Sequence, residues 1–99
     1  MLDIKKDTDG DKIQYTLEGR LDTSTAPELE EEIKKISGDT KELVFDFAGL
    51  DYISSAGLRV LLAAQKTMMK QGNMKVINVN ETINEVFEVT GFSDILTVE

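Results

Sequence analysis

No cysteine and no histidine occur among the 99 residues, and these two absences remove much of the usual chemistry of active sites. Without cysteine there is no disulfide framework, no thiol nucleophile and no cysteine-held metal, a pattern that fits the cytosol. Without histidine the commonest general base is missing as well. The seven glycines contain no G-x-G-x-x-G and no Walker run, so no segment reads as a phosphate-cradling loop. Positive charge is scarce too: eleven basic residues against nineteen acidic ones leave a net charge of −8. That balance repels phosphate backbones and anionic headgroups, which sets aside nucleic acid and membrane surfaces as partners. The longest uninterrupted apolar run is Val60 to Ala64, and Met1-Leu2-Asp3-Ile4-Lys5-Lys6 has no apolar core of signal-peptide length. The expectation is a chain that is neither exported nor membrane-inserted.

What is present is 40% apolar and 30% charged residues in a length that suits one core, so residues 1–99 are read as a single globular domain without a linker. Leu2 and Ile4 alternate with Asp3 and Lys5, and Ile13, Tyr15 and Leu17 with Gln14, Thr16 and Glu18, predicting a hairpin of two half-buried strands. Asp7 to Asp11 supplies its turn. Leu29, Ile33 and Ile36 recur at helical spacing; Thr25 and Glu28 have capping-box spacing, Pro27, the only proline, lies in the first turn, and Gly38 follows the last. Leu43-Val44-Phe45-Asp46-Phe47 is nearly unbroken in apolar side chains, as a central strand covered on both faces would be. A short turn through two serines then leads to a helix carrying Leu58, Leu61, Leu62, Met68 and Met69, stopped by Gly72. Met74 to Val79 predicts a strand parallel to the central one. A shorter helix follows, with Thr82 and Glu85 at capping-box spacing and Gly91 at its end, and Ile95 to Val98 makes a final short strand. The order β-β-α-β-α-β-α-β predicts an α/β fold: a mixed sheet, opening hairpin first and parallel crossovers after it, with helices packed on it.

Two acidic groups invite a metal reading. Asp7, Asp9, Asp11 and Glu18 imitate a calcium loop, but Lys12 stands where that loop needs glycine and neither flank is helical, so an acidic hairpin tip is expected. Asp22, Asp46 and Asp51 would have to meet at the carboxyl end of the sheet to hold magnesium. A serine–lysine catalyst built on Ser55 is disfavoured, since Lys66 and Lys70 lie three or more turns along its helix. The expected protein is no enzyme and carries neither cofactor nor metal.

Ser54 or Ser55 sits where a helix begins, among amide N–H groups without carbonyl partners and at the positive end of the dipole. Such a serine is either an N-cap or a place prepared for phosphate. The surrounding residues decide which family to compare. Asp51-Tyr52-Ile53-Ser54-Ser55-Ala56-Gly57-Leu58, with Arg20-Leu21-Asp22 and Thr25-Ala26-Pro27 upstream and Phe87 to Phe92 downstream, resembles the STAS domain of bacterial anti-sigma factor antagonists over essentially the whole chain. The resemblance implies a STAS-like fold and a cytoplasmic phosphoprotein that regulates transcription by binding another protein. It implies phosphorylation of the serine two before the glycine, here Ser55, with Ser54 in the place where many members have aspartate. The implied partners are an anti-sigma factor with serine kinase activity and a protein phosphatase. The implied contact surface comprises Asp22, Thr23, Thr25, Ser54, Ser55, Gly57, Leu58 and Arg59. A STAS module in a transporter-associated or stress-signalling complex is the alternative.

Overall fold

Two strands zipped into a hairpin start the architecture, and three β-α-β crossovers complete it. The computed structural model describes all residues, 1–99. Strands β1 (Leu2–Asp9) and β2 (Lys12–Leu21) are antiparallel, and α1 (Ala26–Lys34) leads to β3 (Glu42–Ile53). Helix α2 (Ser55–Met69), β4 (Asn73–Ile77), α3 (Glu81–Thr90), a single 3-10 turn at Phe92–Asp94 and β5 (Thr97–Val98) follow. The sheet runs in sequence order, β1-β2-β3-β4-β5, and every pair after the hairpin is parallel. Each crossover thus steps one strand in the same direction. With right-handed connections that places all helices on one face, and one core accordingly joins Tyr15, Phe45, Phe47 and Val76 of the sheet to Leu29, Leu61 and Phe87 of the three helices.

The central strand therefore departs from the expectation of cover on both faces. Val44 is buried yet stands outside that core. Its neighbours across the sheet are Gln14 and Lys75, whose long side chains shield the valine on a face that is polar apart from it and the half-buried Ile77. The hairpin loop is shorter than expected as well. β1 runs through Asp9, which pairs with Lys12, leaving a two-residue loop of Gly10 and Asp11. Gly10 has φ +61°, the conformation that the first position of such a loop requires and glycine adopts without strain. Asp7 and Asp9, expected in the turn, lie within β1 instead, and no three acidic side chains are placed to share an ion.

Helix ends differ from the sequence signals in instructive ways. Thr25 occupies the N-cap of α1 but makes no capping bond; its hydroxyl turns inward, as described below. Helix α3 is capped by Asn80 rather than by the Thr82 and Glu85 pair. Asn80 Oδ1 accepts the Ile83 N–H at 2.8 Å while its Nδ2 donates to the Leu50 carbonyl at 2.9 Å. We predict that Asn80→Ala costs about 1–2 kcal/mol, and that Thr82→Ala costs less than about 0.5 kcal/mol. Urea titrations of the two variants compare them directly, and equal losses would count against this assignment. Gly91 ends α3 in the left-handed conformation, with φ +81°, as the pattern predicted. α1 ends at Lys34, short of Ile36 and Gly38. Gly72 matters for a different reason than stopping a helix: a Cβ there would stand 2.0 Å from the Lys41 carbonyl oxygen, where β3 and β4 begin.

Candidate functional site

The junction between β3 and α2 is built by two irregularities in β3. Thr16 and Glu18 of β2 face Asp46 and Gly49, so two steps on one strand oppose three on the other; where Gly19 and Arg20 face Leu50 and Tyr52, one step opposes two. Each bulge shifts the alternation by one residue. The inward side chains are consequently Phe45, Phe47, Leu50 and Ile53, and Asp51 and Tyr52 are turned outward together. What reads as a turn in the sequence is the bulged end of a strand, and β3 continues to Ile53 without a loop.

Ser54 alone separates strand from helix. Its N–H donates to the Leu21 carbonyl at 2.9 Å, fixing it beside the end of β2. Its hydroxyl accepts the Gly57 N–H at 3.4 Å, so Ser54 is the N-cap. Ser55 is the first helical residue and is exposed. The two readings of the serine pair thereby separate onto different residues: one caps, and the other presents a hydroxyl to solvent at the positive end of a helix whose first turn holds no acidic residue. Gly57 is packed underneath. A Cβ on it would lie 2.7 Å from Leu21 Cγ and 2.9 Å from Ile53 Cγ1, and this close approach seats the helix on the strand ends.

Asp22 and Thr25 close the neighbouring corner between β2 and α1. The Thr25 hydroxyl donates to the Arg20 carbonyl at 2.8 Å and accepts the Asp22 N–H at 2.8 Å. Asp22 Oδ1 accepts from the Ser24 hydroxyl at 2.8 Å, the Ser24 N–H at 3.0 Å and the Thr25 N–H at 3.1 Å. The carboxylate is therefore a cap of its own loop and makes no hydrogen bond to Ser55. Arg20 leans over it, with Nε 3.7 Å from Asp22 Oδ2 and its guanidinium carbon 4.4 Å from the Tyr52 ring centre. The other two aspartates of the supposed magnesium trio do not join it. Asp46 Oδ1 accepts from the Ala48 N–H and the Asn78 amide, and no three-carboxylate group exists.

The Ser24 hydroxyl holds the Asp22 carboxyl below its ordinary value of 3.8; burial opposes that shift, and bonds from Thr25 reinforce it. A depressed folded-state pKa contributes stability that is present above 3.8 and is lost as pH falls through the folded value. Asp22→Asn should therefore flatten the stability curve below about pH 4 and leave its slope between about pH 6 and 8 unchanged. Denaturant titrations from acid to neutral pH measure this, and parallel acid losses in both proteins would refute it.

Thr23, Ala26, Pro27 and Glu30 on one side and Ala56 and Arg59 on the other line a groove of about 200 Å³ between the starts of α1 and α2. It joins the two segments that the sequence had kept 30 residues apart. Of the expected contact residues, Thr23, Ser55 and Arg59 are exposed and Asp22 and Ser54 partly so. Thr25, Gly57 and Leu58 are buried, and their place is under the surface rather than on it, because they fasten the corner and the helix start. Tyr52, which was not among the expected contact residues, is 39% exposed beneath Arg20; its outward direction follows only from noticing that β3 stops alternating after Phe47. The largest concavity, about 490 Å³ between Glu42, Gln65, Asn73 and Thr97, opens at the opposite end of the parallel strands and shares nothing with this junction.

The STAS domain family model matches residues 3–99. The chain belongs to the STAS family. It is similar to the putative anti-sigma factor antagonist BtrV of Bordetella bronchiseptica, with 38% identity over 84 residues, covering 83% of this chain and 72% of that protein. It is also similar to the anti-sigma-B factor antagonist of Bacillus subtilis, with 29% identity over 98% of this chain and 88% of that one. Among solved structures, the anti-sigma factor antagonist SpoIIAA in its unphosphorylated form superposes with a TM-score of 0.78 at 16% identity, covering 98% of this chain and 87% of that one. Its phosphorylated form, the Bacillus cell fate determinant, superposes at 0.77 and 17% identity. The STAS fold is thus the mixed five-stranded sheet described above, and no helix of this chain is long and apolar enough to cross a membrane.

Proposed function

We propose that this STAS protein is an anti-sigma factor antagonist, a non-catalytic switch that acts in the cytoplasm. Unphosphorylated, it binds an anti-sigma factor that is also a serine kinase, and the sigma factor is released. The kinase phosphorylates Ser55, the partner is lost, and a protein phosphatase restores the starting state. The observation that carries this reading is the division of labour at the junction. Ser54 satisfies the helix start, so the exposed Ser55 hydroxyl has no structural duty there and is free to be modified. Adding about −1.5 to −2 charges beside the α1–α2 groove would change a protein contact through repulsion and desolvation without any rearrangement of the core. SpoIIAA, which shares the fold, has a phosphorylated form, in keeping with this reading. ATP belongs to the kinase; this chain has no histidine, cysteine or phosphate loop with which to use it.

Co-purification of the tagged protein from its native cell tests the assignment. An ATP-binding anti-sigma kinase should be the main companion, and should be enriched by Ser55→Ala. Recovery of a transport complex in its place would contradict the proposal and favour a STAS module of another assembly.

A further inference from the structure

We propose that Arg59 is the intramolecular partner of phosphoserine at position 55, so that phosphorylation withdraws a cation from the docking groove as well as adding negative charge to it. This rests on the phosphorylation of Ser55 and adds how the phosphate acts. Ser55 is the first residue of α2 and Arg59 follows four residues later, both exposed. Side chains at that spacing stack on one helix face, within reach of each other and with the acidic member on the favoured N-terminal side. Guanidinium is the group best matched to phosphate, through paired N–H donors.

Availability singles out Arg59. The other arginine at this end of the fold, Arg20, is already held between the Tyr52 ring and the Asp22 carboxylate. Arg59 makes no ion pair within 4.0 Å although Glu30 lines the same groove. Glu30 pairs instead with Lys34 at 3.7 Å. Arg59 is therefore a free cation on the partner-facing surface until a phosphate appears one turn away. Glu30, in the same groove, and Asp22, at the neighbouring corner, are acidic and raise the need for a local cation when the dianion forms.

The full-length protein with phosphoserine installed at 55 by suppression of an amber codon is titrated by phosphorus NMR. This preparation needs no kinase, so a failure of the kinase reading would show separately, as absent enzymatic labelling. The second phosphate pKa, ordinarily about 6, should rise by roughly 0.15–0.4 pH units in Arg59→Gln. Arg59→Lys should recover part of that shift, and Arg20→Gln should move it by less than about 0.1. An unchanged value in Arg59→Gln, or a larger shift in Arg20→Gln, would overturn the proposal. Circular dichroism of each variant confirms that the comparison is made on the folded state.

Discussion

Phe47→Ala is expected to lower the unfolding free energy by about 3–5 kcal/mol, a large share of the roughly 5–15 kcal/mol typical of a domain this size. Phe47 is fully buried. Its ring centre is 6.4 Å from that of Phe45 and 6.4 Å from that of Phe87, in a line that begins with Tyr15 stacked on Phe45 at 5.8 Å. It also lies within the first irregularity of β3, between Asp46 and Gly49, so it carries the sheet's contact with α3 just where the strand is bent toward the junction. Truncation would leave a cavity between strand and helix that the bulge cannot close without moving Leu50. Urea denaturation measures the loss; a value below about 1 kcal/mol would show that the aromatic line is not what seats α3. Tyr15→Phe is a milder comparison, because it removes only the hydroxyl that donates to the Glu32 carbonyl at 3.2 Å. Burial, and secondarily Glu32, pushes that hydroxyl's pKa up to about 12, so it remains a neutral donor at any working pH.

Ser55→Asp is expected to weaken binding to the anti-sigma kinase by roughly 5–150-fold, on the order of 1–3 kcal/mol, while leaving the fold as stable as before or slightly more so. The two effects have opposite signs for one reason. The first turn of α2 has no acidic residue, so a carboxylate at its first position gains about 0.3–1 kcal/mol from the helix dipole. In the proposed complex the same charge would enter an interface that a neutral hydroxyl fits. Ser55→Ala should keep binding, because the exposed side chain loses only its hydroxyl. Calorimetric titration paired with a thermal melt separates these outcomes. If Ser55→Asp binds as tightly as the unmodified protein, charge at this position is not what dismisses the partner.

The order of elements, the parallel pairing of β3 with β4 and the start of a helix at the serine pair were all legible in the residues. Alternation, helical spacing and glycine stops are local signals, and the core enforces them. Capping was less legible. Thr25–Glu28 and Thr82–Glu85 have the right spacing for capping boxes, yet spacing does not say which way a hydroxyl turns. Thr25 is drawn inward by the Arg20 carbonyl and the Asp22 N–H, and Asn80 precedes Thr82 with a better-placed amide. The bulges in β3 were hidden because Ala48-Gly49 and Asp51-Tyr52 break the period as a turn would. Only the register with β2 distinguishes the two. The open polar face of the sheet was hidden by Val44, one apolar residue covered by its long polar neighbours. For the site, sequence spacing located Ser55 and its flanking segment, whereas burial was needed to remove Thr25, Gly57 and Leu58 from the contact surface.

The most direct measurement is the position of the phosphate after incubation with the cognate kinase and ATP. Intact mass should increase by one phosphate, and peptide fragmentation should place it on Ser55, the exposed first residue of α2. Ser54→Ala should still be labelled and Ser55→Ala should not. Phosphate on Ser54, or continued labelling of Ser55→Ala, would contradict the account.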